Sequence, residues 1–141
     1  GIKSFYIPQH VTKIGKYNFN SMKIIEIAEN SELSSLRNMI AYIEEHYSEH
    51  IALTEIALSG ACCKSRCALL FKKYLRDTPI NYTTKLRLRK SLTALLDSDR
   101  TISEIAYEHG FSGASYYCET FKKYYGESPR VYKKRVRESV V

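Results

Sequence analysis

An internal repeat constrains the fold of this chain more than any other feature of its sequence. The matching pairs are Leu53–Ala57 (LTEIA) with Ile102–Ala106 (ISEIA), Phe71–Tyr74 (FKKY) with Phe121–Tyr124 (FKKY), and T-P-x-x-Y at Thr78 with S-P-x-x-Y at Ser128. The offset is 49 residues at the first pair and 50 at the other two, so the second copy has one extra residue in its turn. Three matching blocks in the same order predict two structural units of one design.

The second copy has the pattern of a helix, a tight turn and two more helices. Thr101 and Glu104 form an S/T-x-x-E capping box that starts a short helix, and His109-Gly110 ends it with a left-handed glycine cap. Ser112 is the predicted N-cap of the next helix. Its apolar stripe at i, i+3, i+4 and i+7 consists of Tyr117, Thr120, Phe121 and Tyr124. Ser128, followed by Pro129, opens a final helix to about residue 138.

The first copy is a degraded version of the same pattern. Ala52 stands where the capping hydroxyl is expected, and Gly60 places the turn glycine one position early. The core stripe is nevertheless complete, and it consists of Cys67, Leu70, Phe71 and Tyr74. This copy is therefore predicted to form a second helix-turn-helix unit.

The remaining segments complete an all-α fold. A helix over 79–97 joins the units, and its length of roughly 28 Å is close to the ~34 Å of one DNA turn. Ser35 is the predicted N-cap of a helix from Leu36 to about Tyr47. Residues 3–19 look irregular, and 21–29 form a short amphipathic helix. We expect about seven helices, with units at 53–74 and 102–125 inside a domain at 34–141. Residues 1–33 are then a short irregular tail, a linker or a remnant of an upstream regulatory domain, and Gly1 suggests an excised fragment.

Positive charge is concentrated in the second half of the chain. Residues 1–59 carry a net charge of −2 and residues 60–141 a net charge of +9, within a total of +7. Such a distribution favours a polyanionic partner, nucleic acid first, although a solvated basic surface gives the same count. The 44% of hydrophobic residues excludes a largely disordered chain. No apolar run is long enough for a membrane span, and no signal peptide is recognisable, so we expect a cytoplasmic protein without a membrane partner.

Two patterns suggest metal or redox chemistry but have simpler explanations. Cys67 falls on a core stripe, and Cys62 and Cys63 fall in a turn, so these thiols are expected to be reduced and structural rather than metal ligands. The stretch His46–His50 spells H-x-x-E-H, a zinc-peptidase pattern. Its helix should end near Tyr47 and leave His50 beyond it. No metal site and no cofactor are therefore expected.

The run from Gly110 to Tyr132, GFSGASYYCETFKKYYGESPRVY, resembles the signature of the AraC/XylS family of bacterial transcription regulators. The resemblance covers about residues 35–138. It implies a seven-helix domain whose two helix-turn-helix units read successive major-groove segments of double-stranded DNA. It also implies RNA polymerase as a partner, and an effector or a dimer partner bound through an amino-terminal domain for which residues 1–33 are too short.

Base-reading residues should lie on the face of each second helix that points away from its core stripe. The candidates are Ser65, Arg66, Ala68, Leu69, Ser115, Tyr116, Cys118 and Glu119.

Several of these candidates have equally plausible alternative roles. Arg66 is the strongest base reader of the first unit, and a phosphate contact is its alternative. Ala68 and Leu69 can meet thymine methyls but cannot form bidentate hydrogen bonds, so the first unit is expected to add more grip than discrimination. The resemblance places Glu119 where the family often has a base-reading arginine. Glu119 could accept a hydrogen bond from cytosine N4, or it could pair with Lys122 or Lys123 instead. Tyr116 could contact a thymine methyl or a phosphate, or it could cover the helix turn.

Phosphate contacts are expected from cations and from hydroxyls at helix starts. The candidates are Lys64, Lys72, Lys73, Arg87, Thr101, Ser112, Lys122 and Lys123. By the resemblance, Arg87 matches an arginine that is common at this position of the family's linker helix. It could equally be a structural residue that pairs across the domain.

The alternative function is a DNA-targeting module of a DNA-modifying protein, or of a redox- or metal-sensing protein that uses its cysteines. An alkyl acceptor needs an activated thiolate, whereas Glu119 beside Cys118 would raise the thiol pKa. No catalytic residues are expected.

Overall fold

The computed structural model describes residues 19–139, with side chains from residue 29 onward. Over this range the protein consists of helices and their connections. The helices are α1 (Phe19–His46), α2 (Leu53–Ser59), α3 (Lys64–Leu75), α4 (Pro79–Asp97), α5 (Ile102–Glu108), α6 (Ala114–Tyr125) and α7 (Pro129–Ser139). The all-α prediction of about seven helices is confirmed, and α4 has the bounds predicted for the linker helix. The predicted irregular segment 3–19 lies outside the described residues except for Phe19, which begins α1.

Helix α1 is much longer than the sequence predicts. A helix from Leu36 capped by Ser35 is wrong, because α1 runs without a break from Phe19 to His46 and includes the stretch 21–29. Leu33, Leu36 and Met39 are at most 2% exposed, so burial of one apolar stripe outweighs the turn-forming tendency of the serines between them. The Ser35 hydroxyl donates instead to the Gly60 carbonyl at 2.6 Å. As predicted, α1 ends at His46, before His50.

The first compact unit contains the described part of α1 up to Tyr42 together with Leu53–Thr78. Its buried side chains come from α1, α2 and α3, and they include Leu33, Leu36, Met39, Ile56, Cys67, Leu70 and Phe71. The stripe predicted for α3 is confirmed, with Tyr74 partly buried at its end. Helices α2 and α3 form a helix-turn-helix with Cys62 and Cys63 in the turn, as expected.

The second compact unit contains residues 43–52 and all of the chain from Pro79. Its core is Leu88, Leu95, Ile105, Ala106, Phe111, Tyr117 and Phe121, with Tyr132 of α7 packed against it. The Tyr117 ring contacts those of Phe111 and Phe121 at 5.0 and 5.8 Å between centroids. Its hydroxyl shares a buried hydrogen bond of 2.8 Å with Ser91, and burial raises the pKa of Tyr117 to about 12. This uncharged phenol, with its hydrogen bond to Ser91, helps to fix which face of α6 packs into the core.

Local sequence signals at the helix starts of the second unit are confirmed in two of three places. The capping box of α5 is complete, because the Thr101 hydroxyl accepts from the Glu104 amide and the Glu104 side chain accepts from the Thr101 amide. At α7 the Ser128 hydroxyl accepts from the Val131 amide at 3.3 Å. The predicted N-cap at Ser112 is wrong. Helix α6 starts at Ala114 after Gly113, which has no side chain to make the capping hydrogen bond.

Each unit has two residues in the left-handed backbone region, one before and one after its second helix. In the second unit both are glycines, Gly110 at φ 87° and Gly126 at φ 81°. In the first unit the matching positions are Ala61 at φ 56° and Arg76 at φ 54°. The turn geometry of the two units is therefore the same, although the first unit has side chains where glycine is favoured.

Gly60 does not have the role that its place in the sequence suggests. The left-handed turn residue is Ala61, whereas a Cβ on Gly60 would lie 2.6 Å from Met39 Cγ and 2.8 Å from Ser35 Oγ. A glycine is needed here because α1 approaches the turn closely.

We predict that Ala61→Gly stabilises the protein by about 1 kcal/mol, because it removes the strain of a left-handed alanine. The matched change, Gly110→Ala, should destabilise by about 2 kcal/mol or more, since an added Cβ would collide with the Tyr47 carbonyl and Arg87 Nε as well as strain the backbone. Chemical unfolding of both variants measures the two effects. A destabilised Ala61→Gly variant would show that strain is not significant at this turn.

Candidate nucleic-acid interface

The second helix of each unit has one buried face and one exposed face. In α3 the residues predicted to contact DNA, Lys64, Ser65, Arg66, Ala68, Leu69, Lys72 and Lys73, are all exposed. In α6 the residues Ser115, Tyr116, Glu119, Lys122 and Lys123 are exposed, and Cys118 is half-buried. Sequence periodicity alone therefore separated the core side chains from the solvent-facing ones in both helices.

Arg66, the strongest base-reading candidate of the first unit, is already paired within that unit. Its Nη2 donates to Glu32 Oε2 at 3.0 Å, yet 46% of its side chain remains exposed. Glu32 lies on α1, in the segment that the sequence assigned to a linker. Glu32 was therefore not predicted from the sequence, because no local motif identifies it as a partner of Arg66.

Lys73 and Tyr74 of α3 bind the other oxygen of the same carboxylate. Lys73 Nζ lies 2.8 Å and the Tyr74 hydroxyl 2.7 Å from Glu32 Oε1. Burial alone would raise the pKa of Glu32, but these hydrogen bonds and the charges of Lys73 and Arg66 outweigh it, and the net pKa lies below its usual value. The hydrogen bond to Glu32 raises the pKa of Lys73. Lys73 is therefore a partly neutralised cation, unlike its neighbour Lys72.

The reading face of α6 is different. Tyr116 is 50% exposed and packs against Phe111 at 5.9 Å between ring centroids, so it both covers the turn and presents an aromatic edge to solvent. Glu119 lies beside a shallow cleft lined by Ile80, Asn81 and Lys123, among others. Within residues 29–139 no ion pair of Glu119 with Lys122 or Lys123 forms, although the sequence left that alternative open.

Arg87 on α4 is a structural residue in this geometry. Its Nε donates to the Tyr47 carbonyl at 2.7 Å and its Nη2 donates to the Glu49 carbonyl at 2.8 Å. Burial lowers the pKa of its guanidinium. Both carbonyls follow the end of α1, where helix termini leave acceptors without intrahelical partners. Of the two roles the sequence allowed, the structural one is favoured.

The two hydroxyls proposed as phosphate ligands are in different situations. The Thr101 hydroxyl accepts from the Glu104 amide and donates to Glu104 Oε1 within the capping box, so the one O–H donor that a phosphate contact needs is already used. Ser112 is exposed in the turn before α6 but does not cap that helix. Its contact with phosphate remains a prediction.

Helix α7 carries a run of cations that the candidate list omitted. Lys133 and Arg137 donate to the carbonyls of Ser98 and Leu96, and Arg135 pairs with Glu127 at 2.7 Å. Arg130 and Lys134 are exposed. The charge count of residues 130–137 could have revealed these cations from the sequence.

The four cysteines differ in burial, and Cys67 is the one in the core. Cys67 is fully buried, and burial raises the pKa of its thiol to about 11, which opposes thiolate formation. The four cysteines are free, and the described residues contain no cluster of side chains suited to a metal ion. No helix in the described range has the length and apolarity to cross a membrane.

Comparison with known proteins identifies the same architecture. A family model described as "Helix-turn-helix domain" matches residues 62–135. The chain is 34% identical over 99 residues to the uncharacterized HTH-type transcriptional regulator YdeC of Bacillus subtilis. That alignment covers 70% of this chain and 34% of YdeC, so the chain spans about a third of the relative's length.

Two solved structures have the same fold. One is a Chromobacterium violaceum transcriptional regulator described as having an AraC-type DNA-binding domain, with a TM-score of 0.68 and 24% identity over 72% of this chain and 90% of that one. The other is the DNA-binding domain of AdpA in complex with a target DNA, with a TM-score of 0.71 and 21% identity over 75% of this chain and 96% of that one.

We predict that Arg87→Met lowers the free energy of unfolding by about 2 kcal/mol, because two carbonyl acceptors lose their donors. The exposed Arg89 on the same helix is the control, and Arg89→Met should change stability by no more than about 0.5 kcal/mol. Urea titrations of the two variants give both values. An Arg87→Met variant as stable as the unmutated chain would favour the phosphate role instead.

Proposed function

Because the chain belongs to the AraC-type helix-turn-helix family of transcription regulators, we propose that it binds double-stranded DNA sequence-specifically, with α3 and α6 as its two recognition helices. The observation that supports this most is the shared construction of the two units. Each has a short helix, a turn with a left-handed residue, and a second helix with one buried and one exposed, cation-bearing face. The chain then reads two successive major-groove segments of one duplex.

The length of α4 supports reading by both units at once. Nineteen residues of helix span roughly 28 Å, close to the ~34 Å between equivalent points of the major groove. Buried residues along α4, among them Leu86, Leu88 and Leu95, hold it in a packed unit rather than as a free connector.

The two units contribute differently to binding in this proposal. Ala68 and Leu69 can only form apolar contacts, so Arg66 is the strongest hydrogen-bonding base reader of the first unit. In the second unit Glu119 and Tyr116 are exposed, and Glu119 fits a cytosine amino group. In this proposal the discrimination of the first unit rests mainly on Arg66, and that of the second unit on Glu119 and Tyr116.

The wider biology is part of the same proposal. We propose that the protein acts on transcription through RNA polymerase in the cytoplasm and that it responds to an effector or a dimer partner. The DNA-binding part itself needs no catalytic residue and no cofactor. The buried, high-pKa thiol of Cys67 makes this residue unsuited to a cysteine-based alternative.

We predict that Arg66→Ala and Glu119→Ala change sequence preference. Each variant should lose about 1–3 kcal/mol of discrimination at one base pair, because one direct contact to a base edge is lost. Competition binding between a selected site and its single-base variants measures this loss. If Arg66→Ala lowers affinity by the same factor for every sequence, Arg66 is a phosphate ligand.

We also predict that Lys72→Ala reduces the slope of log affinity against log salt by about 0.9, as loss of one phosphate contact requires. Lys73→Ala should reduce it by less, since Glu32 already neutralises much of that charge. The variants Lys122→Ala and Lys123→Ala in α6 are the control. Their salt slopes should not differ in this way, because neither lysine pairs with a carboxylate within the described residues. Equal slopes for the Lys72 and Lys73 variants would contradict the difference between these two lysines.

A further inference from the structure

Glu32 binds two cations and a phenol of the first recognition helix with one carboxylate. Its Oε2 accepts from Arg66 at 3.0 Å, and its Oε1 accepts from Lys73 at 2.8 Å and Tyr74 at 2.7 Å. Arg66 and Lys73 are seven residues apart, so their side chains reach the one carboxylate from positions two turns apart on one side of α3. Only 12% of the Glu32 side chain is exposed, whereas Arg66 and Lys73 are each nearly half exposed. The carboxylate is therefore largely buried, while the two cations that it binds remain accessible to solvent.

The bond to Glu32 leaves most of the Arg66 guanidinium available. A guanidinium has five N–H donors in a fixed plane, and the described contacts of Arg66 use only Nη2. The remaining donors can form the two parallel hydrogen bonds that guanine O6 and N7 accept. An arginine held on one side by a carboxylate also loses less rotamer freedom when it binds a base than a free one does.

We propose that Glu32 is a positioning residue for base recognition, which holds the Arg66 guanidinium in the orientation that reads the DNA. This inference rests on the proposed base-reading function of Arg66. The Glu32 charge also reduces the attraction of α3 for phosphate of any sequence. Glu32 thus lowers non-specific affinity while it raises affinity for the correct base, and both effects increase discrimination.

The second unit has no such support within the described residues. Tyr116 occupies the position of α6 that matches Arg66, and it is held by ring packing against Phe111 rather than by a carboxylate. This carboxylate support therefore belongs to the first unit, where Arg66 is the strongest candidate for hydrogen-bonded base reading. It makes α1, outside both helix-turn-helix motifs, a determinant of sequence preference.

The test compares Glu32→Gln with Glu29→Gln, which removes the same charge one helical turn earlier on α1. The readout is the ratio of affinities for the selected site and for its variant at the base pair whose preference Arg66→Ala abolishes. Glu32→Gln should lower this ratio about fivefold to tenfold, part of the discrimination that one good base contact provides. Its non-specific affinity should stay equal or rise. Glu29→Gln should leave the ratio unchanged, and adding Glu32→Gln to Arg66→Ala should cause no further loss.

Two results would overturn the positioning role, and a third would contradict the function on which it rests. A Glu32→Gln variant that keeps the ratio, while Arg66→Ala loses it, overturns the positioning role. A variant that binds both sites more tightly by the same factor also overturns it, because Glu32 then merely holds cations away from DNA. An unchanged ratio in Arg66→Ala contradicts instead the base-reading function on which the inference rests.

Two further measurements separate positioning from stability. Tyr74→Phe removes another bond to Glu32 without touching Arg66, so it should lower the melting temperature but keep the affinity ratio. In the unmutated chain, nitrogen-15 NMR of the arginine side chains should show the Arg66 Nε–H group more restricted than that of the exposed Arg76. Equal mobility of the two groups would overturn the proposal without any variant.

Discussion

The buried face of each recognition helix is the constraint on which the rest of this structure depends. Tyr117 and Phe121 in α6, and Cys67, Leu70 and Phe71 in α3, are almost completely excluded from solvent. Once these side chains are packed, the helix cannot rotate without exposing apolar surface, at a cost of about 1.5–3 kcal/mol for each large side chain. The opposite face is then fixed as the exposed one. Function follows from that division, because the side chains left in solvent are those that can meet DNA.

The two units share this division but differ in electrostatics. Within the described residues, the cations of α3 are partly balanced by Glu32, and Lys72 retains an unpaired charge. In α6 the lysines have no carboxylate partner among the side chains of residues 29–139, while Glu119 introduces a negative charge on the reading face. Since phosphate attraction depends on net positive charge and base reading depends on oriented donors and acceptors, the same fold supports different balances of affinity and discrimination. The two units thus share their backbone architecture but differ in the chemistry of their exposed side chains.

The sequence predicted what is local and missed what is distant along the chain. The repeat, the capping box of α5, the bounds of α4 and both core stripes follow from short-range patterns of burial and turn chemistry. The contact of Glu32 with Arg66 spans 34 residues and that of Arg87 with Tyr47 spans 40, and no spacing rule reveals either one. The sequence predicted a helix start at Ser35 because a serine there resembles an N-cap, although tertiary burial of Leu33 and Leu36 keeps this segment inside α1. At Ala61 the fold imposed a left-handed backbone that the residue itself does not favour.

Selection of bound fragments from a random DNA pool tests most directly whether both recognition helices read one duplex. The selected fragments should contain two conserved segments about ten base pairs apart, and insertion of about five base pairs between them should abolish tight binding by turning one segment to the opposite side. A single conserved segment, or an affinity that does not depend on the spacing, would contradict simultaneous reading by α3 and α6.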